Sequence, residues 1–192
     1  MKLDLFLDCY GVLYINASEL MVESNPKFSN EISDLVKSYQ YGTITQADLL
    51  IGFDNFSNIS RELVDSLLLN RLVVNSPLIE EIKARLLGLY NVYIFSNTTQ
   101  QDLVDLCDVR VLDAISITGL YSSELVGVAK PSSESFLRVQ QMAGVESSSC
   151  VLVDDLMQNV NGAKVAGWGG VYYDHVENVI KNLEEEYNAR AT

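Results

Sequence analysis

Four short clusters of polar residues in this chain carry side chains that could do chemistry together. Asp8 opens the stretch Asp8-Cys9-Tyr10-Gly11-Val12-Leu13, Ser96 opens Ser96-Asn97-Thr98, Lys130 stands before Pro131, and Asp154 and Asp155 form a doublet. A carboxylate can attack an electrophile. A hydroxyl and an ammonium can hold a phosphoryl group, and two adjacent carboxylates can hold a cation. Together these are the working parts of a phosphoryl transfer. They lie far apart along the chain, so a fold has to collect them.

The elements around them show how. Apolar runs of strand length fall at residues 3–7, 92–95, 114–117, 150–153 and 171–173. Helical spacing of apolar residues falls at 78–89, 101–107, 135–143, 160–166 and 176–187. Short apolar strands alternating with helices predict an α/β fold with a Rossmann-like parallel sheet, covered on both faces. In such a sheet ligands bind beyond the carboxyl ends of the strands, and all four clusters sit at or just past such ends. Pro77 suits the first turn of the helix at 78–89, with Ser76 as its cap.

Between residues 15 and 74 the alternation stops. Apolar residues at helical spacing within 32–39, 47–53 and 63–68 read as three amphipathic helices, with breaks at Asn16, Ser24-Asn25-Pro26, Gly42-Thr43 and 55–58. Thr45 and Asp48 have the spacing of a capping box. The expected organisation is an α/β core formed by residues 1–14 and 75–192, with a small helical cap, residues 15–74, inserted after the first strand.

Composition narrows the class of partner. With 192 residues the chain has room for one buried core and a small insertion. A formal net charge of −13 argues against a nucleic-acid backbone or an anionic membrane, both of which want basic patches. It also repels anionic substrates at long range, so a phosphate site needs concentrated local positive charge, which a cation would supply. The first apolar run is short and interrupted by Asp4, which fits neither a signal segment nor a membrane span, so a cytoplasmic protein is expected. The three cysteines, Cys9, Cys107 and Cys150, have no metal-type spacing and read as reduced thiols.

The order and spacing of the four clusters resemble the haloacid dehalogenase-like hydrolases. Lys130-Pro131-Ser132-Ser133-Glu134-Ser135-Phe136 is similar to that family's lysine segment, and Asp154 to Ala163 to its acidic segment. An insertion after the first cluster is similar to its small-cap branch, and Ser96-Asn97-Thr98 with the double aspartate resembles the sugar-phosphate phosphatases, including the glucose-1-phosphate type. The resemblance implies Asp8 as nucleophile, Ser96, Asn97 and Lys130 as phosphate-binding groups, and a small phosphorylated metabolite as substrate. It implies Mg²⁺ held by Asp8, the Tyr10 carbonyl and Asp155. Asp154 is either a further ligand or a supporting, helix-capping residue, and Asn159 either supports the acids or faces solvent.

Tyr10 departs from the pattern, because the family usually has an aspartate there as general acid. A phenol titrating near pKa 10 is a poor proton donor at neutral pH. Two alternatives follow from it: a catalytically weak or silent phosphate-binding relative, and a metal-free 2-haloacid dehalogenase, whose first motif carries Tyr at this place. The Asp154–Asp155 doublet beside Asp8 speaks against the latter, since three crowded carboxylates without a cation are costly. His175 reads as a surface residue and Trp168 as packing.

Overall fold

β1 (Leu3–Leu7) is buried at all five positions, as a strand covered on both faces must be. In the computed structural model, which describes residues 2–56, 58–69, 71–106 and 115–191, β1 is the centre of a five-stranded sheet. β4 (Tyr90–Ser96) and β6 (Cys150–Asp154) flank it, and β5 (Ile117–Ser122) and β7 (Gly169–Tyr172) lie outside them. Every pairing is parallel. The parallel α/β fold expected from the alternation is therefore present. Leu7 pairs with Ile94 on one side and Val153 on the other, which brings Asp8 off the sheet between the ends of β4 and β6.

Among the described residues the α-helices that accompany the sheet are α5 (Ser76–Glu81), α6 (Gln100–Leu106), α7 (Ser123–Val126), α8 (Ser133–Ala143), α9 (Met157–Val165) and α10 (Val176–Arg190). Under the sheet, Phe6 stacks on Tyr93 with ring centroids 4.7 Å apart and meets Trp168 at 4.6 Å, and Trp168 meets Phe136 edge-on at 5.3 Å. Each such ring contributes roughly 2–3 kcal/mol through burial. Trp168 donates its indole N–H to Gln140, so it is a packing residue as expected.

Two elements differ from the sequence reading. The third strand lies at Ile117–Ser122 rather than at 114–117. It is a sheet edge and only half covered, so no continuous apolar run marks it; the run before it serves to bury Ile115 in the approach to the strand. Ala114 and Cys107 fall outside the described residues. The helix expected over 78–89 begins at Ser76, inside the first turn instead of capping it, and gives way to a π-helical turn at Ile82–Leu86.

The chain divides into two compact units, residues 1–13 with 78–192 and residues 14–77. The second has four α-helices among its described residues: α1 (Ala17–Glu23), α2 (Ser29–Gln40), α3 (Gln46–Phe53) and α4 (Arg61–Leu68). They close on a core of Met21, Ile32, Val36, Leu49, Phe53, Leu63 and Val64. An antiparallel ribbon of β2 (Tyr14–Asn16) and β3 (Leu72–Val74) joins the strand that enters this unit to the one that leaves it. Sequence reading missed α1, which is only seven residues long, and the ribbon, whose strands are three residues each. Such lengths are too short for periodicity to register. Among the described residues no helix is long and apolar enough to cross a membrane.

Candidate active site at the carboxyl ends of the strands

Asp8 is fixed where β1 ends. Its backbone N–H donates to the Val153 carbonyl at 2.9 Å, and its Oδ1 accepts the N–H of Cys9 at 2.7 Å. Oδ2 lies 3.3 Å from Nζ of Lys130. Lys130 is not the solvated loop lysine that its place before a proline would allow. Its side chain is fully buried, and Nζ donates to the Phe95 carbonyl at 2.9 Å and to Asp154 Oδ2 at 2.6 Å. The ammonium also stands 5.2 Å over the Phe95 ring. A buried cation persists only with such partners, because it has lost its water.

Asp154 is the hub of this arrangement. While Oδ2 accepts from Lys130, Oδ1 accepts the Leu156 N–H and the Asn159 side-chain amide, each at 2.9 Å. Asn159 is buried, which answers the sequence alternative: it supports the acids and does not face solvent. Asn97 has a comparable task. Its side chain donates to the Lys130 carbonyl and accepts the Lys130 N–H, both at 2.9 Å, and so clips the end of β4 to the lysine's backbone. Ser96, the last residue of β4, is buried, and its hydroxyl hydrogen-bonds the Asp8 carboxylate.

Burial pushes the Asp8 carboxyl up to about 6; the Lys130 charge opposes this, Asp154 adds to it, and hydrogen bonds from Ser96 and Cys9 draw it back down. A neighbouring cation would favour its charged form. The donor set suits one: oxygens of Asp8, Asp154 and Asp155 lie within 4.8 Å of one another. Hard carboxylate oxygens are what Mg²⁺ takes. Asp154 has hydrogen bonds on both oxygens, and Asp155 lies against the loop after β1. A Cβ at Gly11 would come within 2.3 Å of Asp155 Oδ2. Gly11 also has φ +75°, so side-chain bulk and backbone both call for glycine there.

Tyr10 is 38% exposed, at the surface of the same loop. His175 is exposed at the start of α10, away from the strand-end cluster in sequence and element. Asp8, Ser96, Lys130, Asp154 and Asp155 are thus gathered at adjoining strand ends, with Asn97 and Asn159 bracing Lys130 and Asp154. The bracing was the part the sequence left open. Its trace in the sequence is the amide five residues past the first acid, one helical turn into α9.

No family model matches the chain. A curated relative, flavin mononucleotide hydrolase 1 of Arabidopsis thaliana, described as chloroplastic, is 32% identical over 65 residues. That stretch is 34% of this chain and 26% of the relative, so the match spans about a quarter of the relative's length. A haloacid dehalogenase (HAD) family enzyme of Bacteroides thetaiotaomicron, solved with magnesium and inorganic phosphate, superposes with a TM-score of 0.54 at 21% identity over 91% of this chain and 95% of its own. A protein of Porphyromonas gingivalis described as a HAD-like family hydrolase gives 0.55 at 20% identity over 96% of this chain and 97% of its own. A HAD-superfamily hydrolase of Geobacter sulfurreducens gives 0.54 at 16% identity over 95% and 96%. With strand order, register and these superpositions in agreement, the fold of this chain is that of the haloacid dehalogenase-like hydrolases.

Proposed function

We propose that the chain is a Mg²⁺-dependent phosphomonoester hydrolase that acts through an aspartyl-phosphate on a small phosphorylated metabolite. The observation that carries this reading is a fully buried lysine ammonium 3.3 Å from the Asp8 carboxylate, with two further carboxylates at the same strand ends. Asp8 attacks phosphorus, the bond to the leaving oxygen breaks, and the phosphoryl group is carried on the carboxylate. Lys130 and the Ser96 hydroxyl hold the non-bridging oxygens. Water then cleaves the acyl-phosphate and returns Asp8 with inorganic phosphate. Asp8, Asp155 and the Tyr10 carbonyl would hold the metal, which supplies charge neutralisation of nucleophile and phosphate. Asp154 orients Lys130 and closes the acidic set. The helical unit is the proposed reader of the leaving group. Buried Cys9 and Cys150, neither of them in a disulfide, suit a reducing compartment such as the cytoplasm.

Likeness to sugar-phosphate phosphatases and to a flavin mononucleotide hydrolase offers two leaving-group classes. A screen of sugar phosphates and nucleotide monophosphates, flavin mononucleotide included, with and without Mg²⁺, tests both. Expected is phosphate release that chelator abolishes and Mg²⁺ restores, and that Asp155→Ala lacks. Chelator-resistant chloride release from a 2-chloro acid would establish the dehalogenase alternative instead.

Tyr10 favours a second reading, a weakly active or silent relative. Under the hydrolase reading, good leaving groups such as nitrophenolate need no acid. Tyr10→Asp then speeds simple alkyl phosphates by up to roughly 10² to 10⁴ and nitrophenyl phosphate much less. Absence of turnover in both proteins, on every ester, would establish the silent relative.

A further inference from the structure

Helix α9 touches Asp154 and the loop that carries Lys130. Asn159 reaches Asp154 Oδ1 at 2.9 Å. Three residues on, hence on the same helical face, Gly162 lies against the loop that carries Lys130. A Cβ built on Gly162 would stand 2.2 Å from the Pro131 carbonyl oxygen and 3.1 Å from Cε2 of Phe136. The first neighbour is backbone one residue from Lys130. The second is the ring that packs edge-on against Phe95, whose own ring and carbonyl face the lysine ammonium. Gly162 is also buried in the interior of a helix, where glycine is among the poorest choices. Its φ is not positive, so backbone conformation does not demand it. Close approach does.

We infer that Gly162 is a positioning residue: its missing side chain lets the Lys130–Pro131 loop seat against α9, and this sets the lysine's ammonium beside Asp8. The carboxylate half of the pair is held by Asn159 and the lysine half by the hollow at Gly162, so one helix face aligns both. The functional part of this inference rests on the phosphohydrolase reading; the geometric part does not.

The test is Gly162→Ala, with Val179→Ala as a control that removes buried volume from α10 without touching the loop. Crystal structures of both variants decide the geometry. Expected is a Lys130 Nζ displaced from Asp8 Oδ2 in Gly162→Ala only; an unchanged 3.3 Å separation would overturn the inference, whatever the activity. Kinetics decide the function. In Gly162→Ala kcat should fall on the order of 10²-fold and inhibition by inorganic phosphate should weaken. The Mg²⁺ concentration for half-activation should hold, because the proposed metal ligands are not on this loop. Val179→Ala should lower the melting temperature and leave all three values near wild type. Equal losses in the two variants would mark Gly162 as a stability residue and sink the proposal. A lysine displaced in Gly162→Ala, beside a wild type that hydrolyses no phosphate ester, would uphold the positioning role and defeat the phosphohydrolase reading alone.

Discussion

The two units of this molecule use polar side chains in opposite ways. Of the ten buried polar or charged residues among the described ones, only Asn25 and Asn75 belong to the helical unit; the other eight, Asp8, Lys130 and Asp154 among them, belong to the sheet unit. Hydrogen bonds from side chains in the helical unit are mostly local, such as Thr45 with Asp48, Ser60 with Leu63 and Asn25 with Met21. In the sheet unit they tie residues far apart in sequence: Lys130 to Phe95, Asn97 to Lys130, Lys130 to Asp154. Local bonds finish helix ends and can be lost singly. The long-range set surrounds buried charge, and losing one member strands the others. The sheet unit is therefore where substitutions should cost most in both chemistry and stability.

The largest expected effect is on chemistry. Asp8→Asn keeps the shape and removes the nucleophile, so turnover should fall below detection. Stability should move the other way. A carboxyl raised to about 6 binds its proton more tightly folded than unfolded, so its charged form costs stability above that pH. In chelator, at pH 8, the variant should melt at or above wild type, and the difference should close as pH falls from about 6 to about 4. Retained hydrolysis ends the covalent mechanism; a lower melting point at pH 8 ends the account of the buried charge.

How much of this contrast the sequence shows follows from the same division. Asp8, Ser96, Lys130 and the Asp154–Asp155 doublet were visible because each follows a strand-length run in β1, β4 or β6 or the known spacing of a family. Their geometry was not visible. That Lys130 is buried, that Asn97 clips its backbone and that Asn159 holds Asp154 are facts of packing between segments 24 or more residues apart, or across a strand–helix turn. No local pattern encodes them. Conversely, the Thr45–Asp48 box was readable because its partners are three residues apart, whereas β5 was misplaced because a half-exposed edge lacks an apolar run.

A second substitution sharpens the comparison. Lys130→Met leaves Asp8 and Asp154 buried without their cation, and breaking such a pair from one side typically costs about 3–5 kcal/mol. Turnover should be lost together with phosphate binding. The stability deficit should be larger at pH 8 than at pH 5, because Asp8, without the lysine charge that lowers its pKa, takes up its proton at a still higher pH. Denaturant melts at pH 8 and pH 5 measure it. A deficit that does not change between them would mean that packing around the lysine stem, and not stranded charge, sets the cost.

The smallest effect belongs to the helical unit and tests the other half of the contrast. Thr45 caps α3: its hydroxyl accepts the Asp48 N–H at 3.2 Å, while the Asp48 carboxylate accepts from the Thr45 N–H at 2.9 Å and hydroxyl at 2.7 Å. These bonds hold the fully exposed Asp48 carboxyl below its usual range, the Thr45 hydroxyl foremost. A depressed carboxyl contributes stability that is present above its unfolded value and lost as pH falls through its folded one. Thr45→Ala removes the hydroxyl and leaves the backbone bond, at a typical cost of about 1 kcal/mol. For a chain of this size that is a melting-point drop of roughly 2–4 °C. The gap from wild type should be full at pH 7 and narrow below about pH 4, as protonated Asp48 gives up its role in both proteins. At 25 °C turnover should match wild type, because a frayed turn of α3 strands no buried charge. A large fall in kcat with the small fall in melting point would show that the helical unit takes part in the chemistry itself, and the division of labour between the two units would have to be redrawn.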